Sequence, residues 1–167
     1  MIRYFLGFSL LVFVATTGFG QRFGHLNFGN LLSEMPATAV AEKQLEAYNK
    51  EQLAIGEGMA KKLQADFASA EAKASTIPPV ELRKLEAQLQ KDQQAIRAFE
   101  QQMAVNLEKK RRELLGPIIK QAKDAIAAVG REKGYQMIFD SSLFNSLLFT
   151  GEGTDVLPLV KAKLGIQ

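Results

Sequence analysis

The chain contains no cysteine and no tryptophan, and only one histidine among its 167 residues. Without cysteine there are no disulfides, no thiol catalysis and no Cys-based metal sites, so stability must come from packing, oligomerisation or both. A strong charge of one sign is also missing. The formal net charge is +3, and a leader carrying Arg3 would take part of that away; this is too weak to indicate a nucleic-acid partner, even at a pI of ≈ 9.1. The lone His25 has no cysteine or convergent carboxylates to work with, and Asp140-Ser141-Ser142 reads as a turn. No phosphate loop, metal set or nucleophile–base pair is present. Neither an enzyme nor a cofactor is expected.

Residues 1–20 form the one long apolar run. Arg3 supplies a positive start, Tyr4 to Phe19 are apolar or small, and Gly18 and Gly20 precede Gln21 in the manner of a signal-peptidase site. The run is shorter than the roughly 20 apolar residues of a spanning helix. It therefore reads as a cleavable signal peptide and implies export; a retained membrane anchor is the alternative.

What the chain has in abundance is Ala, Gln, Lys, Glu and Leu, the composition of long helices. From Thr38 to about Thr76, the residues Val40, Leu45, Tyr48, Ile55, Met59, Leu63, Phe67 and Ala70 recur at spacings built from threes and fours. Ile77-Pro78-Pro79 must then turn the chain, because two prolines remove two backbone donors and forbid helical geometry just before them. The second helix, about Pro79 to Gly130, carries Leu82, Leu85, Leu89, Asp92, Ile96, Phe99 and Met103 in heptad steps, continued by Leu107, Leu114, Ile118 and Ala122. Two such helices joined by a tight turn make an antiparallel hairpin with its turn at 76–79. Folding about residues 77 and 78 sets Phe67 beside Leu89, Met59 beside Ile96 and Leu45 near Lys110.

The flanks read as short strands. Residues 22–28 alternate, with Phe23, His25 and Asn27 on one face and Gly24, Leu26 and Phe28 on the other. A helical turn follows at Asn30-Leu31-Leu32, and Pro36 breaks the chain. After Gly130 and Gly134 close the long helix, strands are expected at 135–139 and 147–149 with a turn between them. A helix over 155–164, capped by Thr154 and Asp155, completes the chain. The fold class is thus mainly α with a small β base. A coiled-coil arm, residues 38–130, projects from a body made of 21–37 and 131–167. So thin a base calls for a homo-oligomer whose strands merge, with Phe23, Leu26, Phe28, Tyr135, Met137, Ile138, Phe139, Leu147, Leu148 and Phe149 as the candidate interface.

At this point the chain resembles the Skp/OmpH family of periplasmic chaperones. The resemblance rests on Phe23-Gly24-His25-Leu26-Asn27, on the Gln/Lys/Glu/Ala hairpin and on Leu114-Leu115-Gly116-Pro117-Ile118-Ile119. It also rests on Gly134-Tyr135-Gln136-Met137-Ile138-Phe139-Asp140 and on Gly153-Thr154-Asp155-Val156. It implies a homotrimer with hairpins hanging around a cavity, holding unfolded outer-membrane proteins without ATP. Familiar members have strongly basic arms, whereas Thr38 to Gly130 here carries 15 Lys/Arg against 13 Asp/Glu.

Some features carry two readings each. Gly56 and Gly58 stand for a hinge in the arm or for a close helix contact, and the hinge is preferred. Gly116-Pro117 kinks the second helix near the base. Lys109-Lys110-Arg111-Arg112 would meet an anionic lipid surface or, in preference, Glu42 and Glu46 across the hairpin. Met59, Phe67, Phe99 and Met103 read as hairpin core, which leaves residues beside the seam, such as Val80 and Val105, to face a client. The rival function is an exported or membrane-tethered coiled-coil structural or assembly protein without chaperone activity.

Overall fold

The computed structural model describes residues 21–144, 147–151 and 154–166. The expected signal peptide at 1–20 lies outside them. The element order is β1 (Arg22–Leu26), α1 (Phe28–Glu34), α2 (Pro36–Lys73), α3 (Pro79–Lys133), β2 (Tyr135–Asp140) and α4 (Leu157–Leu164). These fall into two compact units. One comprises the described residues up to Gly29 with those from Asp124, and the other is Asn30–Lys123.

In the first unit β1 pairs with β2 in parallel, with Phe23 opposite Met137, His25 opposite Phe139 and Leu26 opposite Asp140. A parallel pair needs a long crossover rather than a hairpin turn, and the helices between the strands provide it. Alternation along β1 sends Gly24 and Leu26 inward, where Leu26 joins Ala125, Val129, Val156 and Val160 as the buried core. Gly24 is required by close approach, because a Cβ there would lie 2.8 Å from Val156 Cγ1.

Several boundaries differ from those read in the sequence. The first strand stops at Leu26 rather than running to 28, because Phe28 already opens α1, its amide donating to Asp140 Oδ1 at 3.2 Å. The long helix does not close at Gly130 but runs on to Lys133 and ends at Gly134, whose φ of 70° suits a left-handed stop. Gly130 is instead a packing position against Ile138. No strand forms at Leu147–Phe149. The free edge of β1 is taken by residues 154–156, where the His25 amide donates to the Thr154 carbonyl and the Val156 amide to the His25 carbonyl, both at 2.9 Å. The last helix starts at Leu157, not 155. Asp155 stands before it and accepts the Leu157 amide at 2.9 Å.

The second unit is an antiparallel helical hairpin. The break expected at Pro36 falls at Met35, which is extended between α1 and α2, and Pro36 itself begins α2, since proline in the first turn gives up no helical hydrogen bond. At the reversal the Lys73 carbonyl accepts the amides of Thr76 and Ile77 and the Thr76 hydroxyl. The Pro78 carbonyl then accepts the amides of Glu81 and Leu82 in the first turn of α3. Leu31, Met35, Thr38, Ala41, Ile118 and Ala122 are buried near the open end of the hairpin. Toward the turn only Ala70 and Leu89 are buried to that degree. Among the described residues, no helix is long and apolar enough to cross a membrane.

Candidate assembly and client-binding surfaces

The outer face of the two-stranded sheet is apolar. Alternation that turns Gly24 and Leu26 inward must turn Phe23 and His25 outward, and the register sets Met137 and Phe139 beside them. The rings of Phe23 and Phe139 lie 6.4 Å apart and tilted at 46°. They line an open cleft of about 280 Å³ together with His25, Leu147, Phe149 and Thr154. The Nδ1 of His25 is buried there without a hydrogen-bond partner. Past the strand the chain exposes Leu143, Phe144, Leu148 and Phe149, the last three almost fully.

This apolar loop is tied down from behind. Asp140 closes β2 and accepts hydrogen bonds from the amides of Phe28 and Ser142. Burial raises the Asp140 pKa, but the hydroxyl and amide of Ser142 and the amide of Phe28 outweigh it and hold the carboxyl below its usual range. Arg22 donates to the Lys133 carbonyl at 2.9 Å and sits over the Tyr135 ring at 5.0 Å, binding the start of β1 to the end of α3. Lys163 of α4 pairs with Glu132 of α3, which lowers the Glu132 pKa.

Of the ten residues expected at a subunit interface, Leu26 is spent on the unit's own core at 2% exposure. Phe28, Tyr135, Ile138 and Leu147 are half-buried, whereas Phe23, Met137, Phe139, Leu148 and Phe149 present large apolar side chains to solvent. Sequence reasoning misses Leu143 and Phe144 because they fall in the stretch that spacing assigns to a turn between two strands.

In the hairpin, Val80 and Val105 are about three-fifths exposed (60% and 59%), alongside Val40, Leu53, Ile55 and Phe67. The seam on α3 falls where the heptad steps place it, every member from Leu82 to Met103 being half-buried or buried. The seam on α2 matches the expected stripe only in part, at Leu45, Tyr48, Met59, Leu63 and Ala70. Its members are Thr38, Ala41, Leu45, Tyr48, Gln52, Gly56, Met59, Leu63, Asp66 and Ala70; Val40, Ile55 and Phe67 stand outside it. Met59 and Leu63 line one shallow depression with Asp92 and Ile96, as folding about 77 and 78 requires.

A Cβ on Gly56 would meet the Phe99 ring at 3.4 Å, whereas Gly58 and Gly116 have open space around them. The α3 helix continues through Pro117. The basic run does not reach Glu42 and Glu46. Glu46 pairs with Lys50 on its own helix, Lys109 with Glu113 and Arg111 with Glu108, while Lys110 lies over the Tyr48 ring at 5.9 Å. Exposed pairs one turn apart form more readily than pairs spanning a seam. Among the described residues no cluster of three or more His, Asp or Glu is placed to hold a metal ion.

The family model for outer membrane proteins described as OmpH-like matches residues 22–164. The chain belongs to this OmpH-like family. Its fold is similar to the crystal structure of an OmpH-like protein from Caulobacter crescentus CB15, with a TM-score of 0.74 at 16% identity, covering 86% of this chain and 83% of that one. No curated protein matches significantly.

Proposed function

We propose that the chain is an ATP-independent periplasmic holdase, a homotrimer that keeps unfolded outer-membrane proteins from aggregating in a cavity between its helical hairpins. Membership of the OmpH-like family supports this reading, as does the fold shared with the Caulobacter protein, itself described as a candidate outer membrane chaperone. The observation that carries it is a division of exposed apolar surface between two places. Phe23, Met137, Phe139, Leu148 and Phe149 gather around the sheet, whereas Val80, Val105 and their neighbours are spread singly along the hairpin. A concentrated patch suits a permanent contact between copies. Dispersed side chains suit weak, sequence-tolerant contacts with an unfolded chain, which need no chemistry and no nucleotide. In this assignment residues 1–20 are a signal peptide, Gly56 and Gly58 are a hinge in the arm, Gly116 and Pro117 set a fixed kink in the second helix, and the basic run 109–112 is the candidate contact for an anionic lipid surface.

The test is the solution mass of the protein without residues 1–20, measured by light scattering with and without a urea-unfolded β-barrel protein. A trimer that keeps the barrel protein soluble on dilution is expected. A monomer, or a trimer that leaves aggregation unchanged, overturns the reading, the latter in favour of a structural coiled-coil protein.

A further inference from the structure

The two faces of the hairpin seam are unequal between the turn and its midpoint. From α3 come Leu82, Leu85, Leu89, Ile96 and Phe99, all half-buried or buried. Of the six α2 seam positions from Gln52 to Ala70, only Met59 and Leu63 carry large apolar side chains. Gln52 and Asp66 are polar, Gly56 has no side chain, and Ala70 has one methyl. Beside each of the first three stands a large apolar residue one position away in sequence and exposed: Leu53 at 46%, Ile55 at 43% and Phe67 at 42%. One residue along a helix is a rotation of about 100°, enough to carry these side chains out of the seam.

The polar positions attract further charge. Lys62 bonds Asp66 at 2.7 Å and feels Asp92 of α3, and both influences raise its pKa; Gln88 donates to Asp92 at 2.8 Å. A two-helix seam has no third layer behind it, so each apolar side chain missing from the seam is a loss nothing else makes good. Nearer the open end, by contrast, Leu31, Met35, Ala41, Ile118 and Ala122 are all buried below a tenth exposure.

We propose that the hairpin opens locally along this stretch, Gln52–Ala70 parting from Leu82–Phe99, while the layers around Leu31, Met35, Ala41, Ile118 and Ala122 stay closed. Opening uncovers the α3 stripe, two apolar stretches, Leu82 to Leu89 and Ile96 to Phe99, on either side of Asp92. That the face then serves an unfolded client rests on the holding function above; the opening does not.

Hydrogen exchange on the full chain without any client tests it. Amides of 52–70 and 82–99 are expected to exchange about tenfold or more faster than those of 114–125. Filling the seam with Gln52→Leu, Asp66→Leu and Asp92→Leu should slow the first set about tenfold and leave the second unchanged. Asp92→Leu alone, which changes one position, should show the same direction should the triple variant misfold. Equal protection along the whole hairpin overturns the proposal. So does a smooth gradient away from Ile77 that ignores these substitutions, since that is simple fraying at the turn. Because no client is present, failure here leaves the holdase reading standing.

Discussion

Gly56 on α2 lies against the ring of Phe99 on α3, where a Cβ would sit in van der Waals contact at 3.4 Å. Its neighbour Gly58, two residues on, meets nothing within 4 Å. The two glycines therefore do different things despite their symmetry around Glu57. Replacing Gly58 with Ala should stabilise the hairpin by about 0.8–1.0 kcal/mol, the helix-propensity difference. Gly56→Ala should gain less, and Gly56→Leu should lose about 1–3 kcal/mol by displacing Phe99. Urea denaturation of the three variants checks the order.

Asp140 links the end of β2 to the start of α1. Its carboxyl is held below the ordinary range, so the stabilisation it brings is fully present above the unfolded-state pKa of about 3.9 and fades as pH falls through the lower folded value. Asp140→Asn removes the ionised acceptor. The variant should be less stable than the parent at pH 7, and the gap should shrink with acidification toward pH 3. A gap that is constant with pH, measured by thermal unfolding, would count against this role.

Thr38 is 7% exposed, and its hydroxyl has no hydrogen-bond partner. Thr38→Val keeps the shape and removes the stranded polar group, so it should raise stability by about 1 kcal/mol. An unchanged midpoint would mean that the hydroxyl is satisfied in solution.

Leu148→Glu with Phe149→Glu places two charges on side chains that are 89% and 87% exposed and pack against little in the single chain. Circular dichroism should therefore stay helical while the solution mass falls to that of one chain. A mass unchanged by both charges would remove this loop from the assembly surface.

Much of the fold could be read from the sequence because two of its signals are local. The prolines at 78 and 79 fix the reversal, and the heptad steps from Leu82 to Met103 fix the α3 face; neither depends on distant partners. Other features could not be read so directly. Bulk, the usual mark of a core position, points to Ile55 and Phe67 on α2, yet the partner helix selects Gly56 and Asp66, the residues next to them. Leu147-Leu148-Phe149 has strand composition, but β1 gives its free edge to Asp155, a competition decided between segments well over a hundred residues apart. The apolar strand residues found at the candidate assembly surface were legible by alternation. Leu143 and Phe144 were not, because a turn is where exposed bulk is least expected.

The parallel pairing of β1 with β2 fixes an order of events during biosynthesis. Phe28 and Asp140, which close the sheet, are 112 positions apart, and no shorter stretch of chain can substitute. The first strand to emerge must therefore wait, unpaired, until about five-sixths of the polypeptide is available, whereas the hairpin can close progressively from its turn as α3 is added. A chain cut short before Tyr135 therefore leaves β1 without its partner strand.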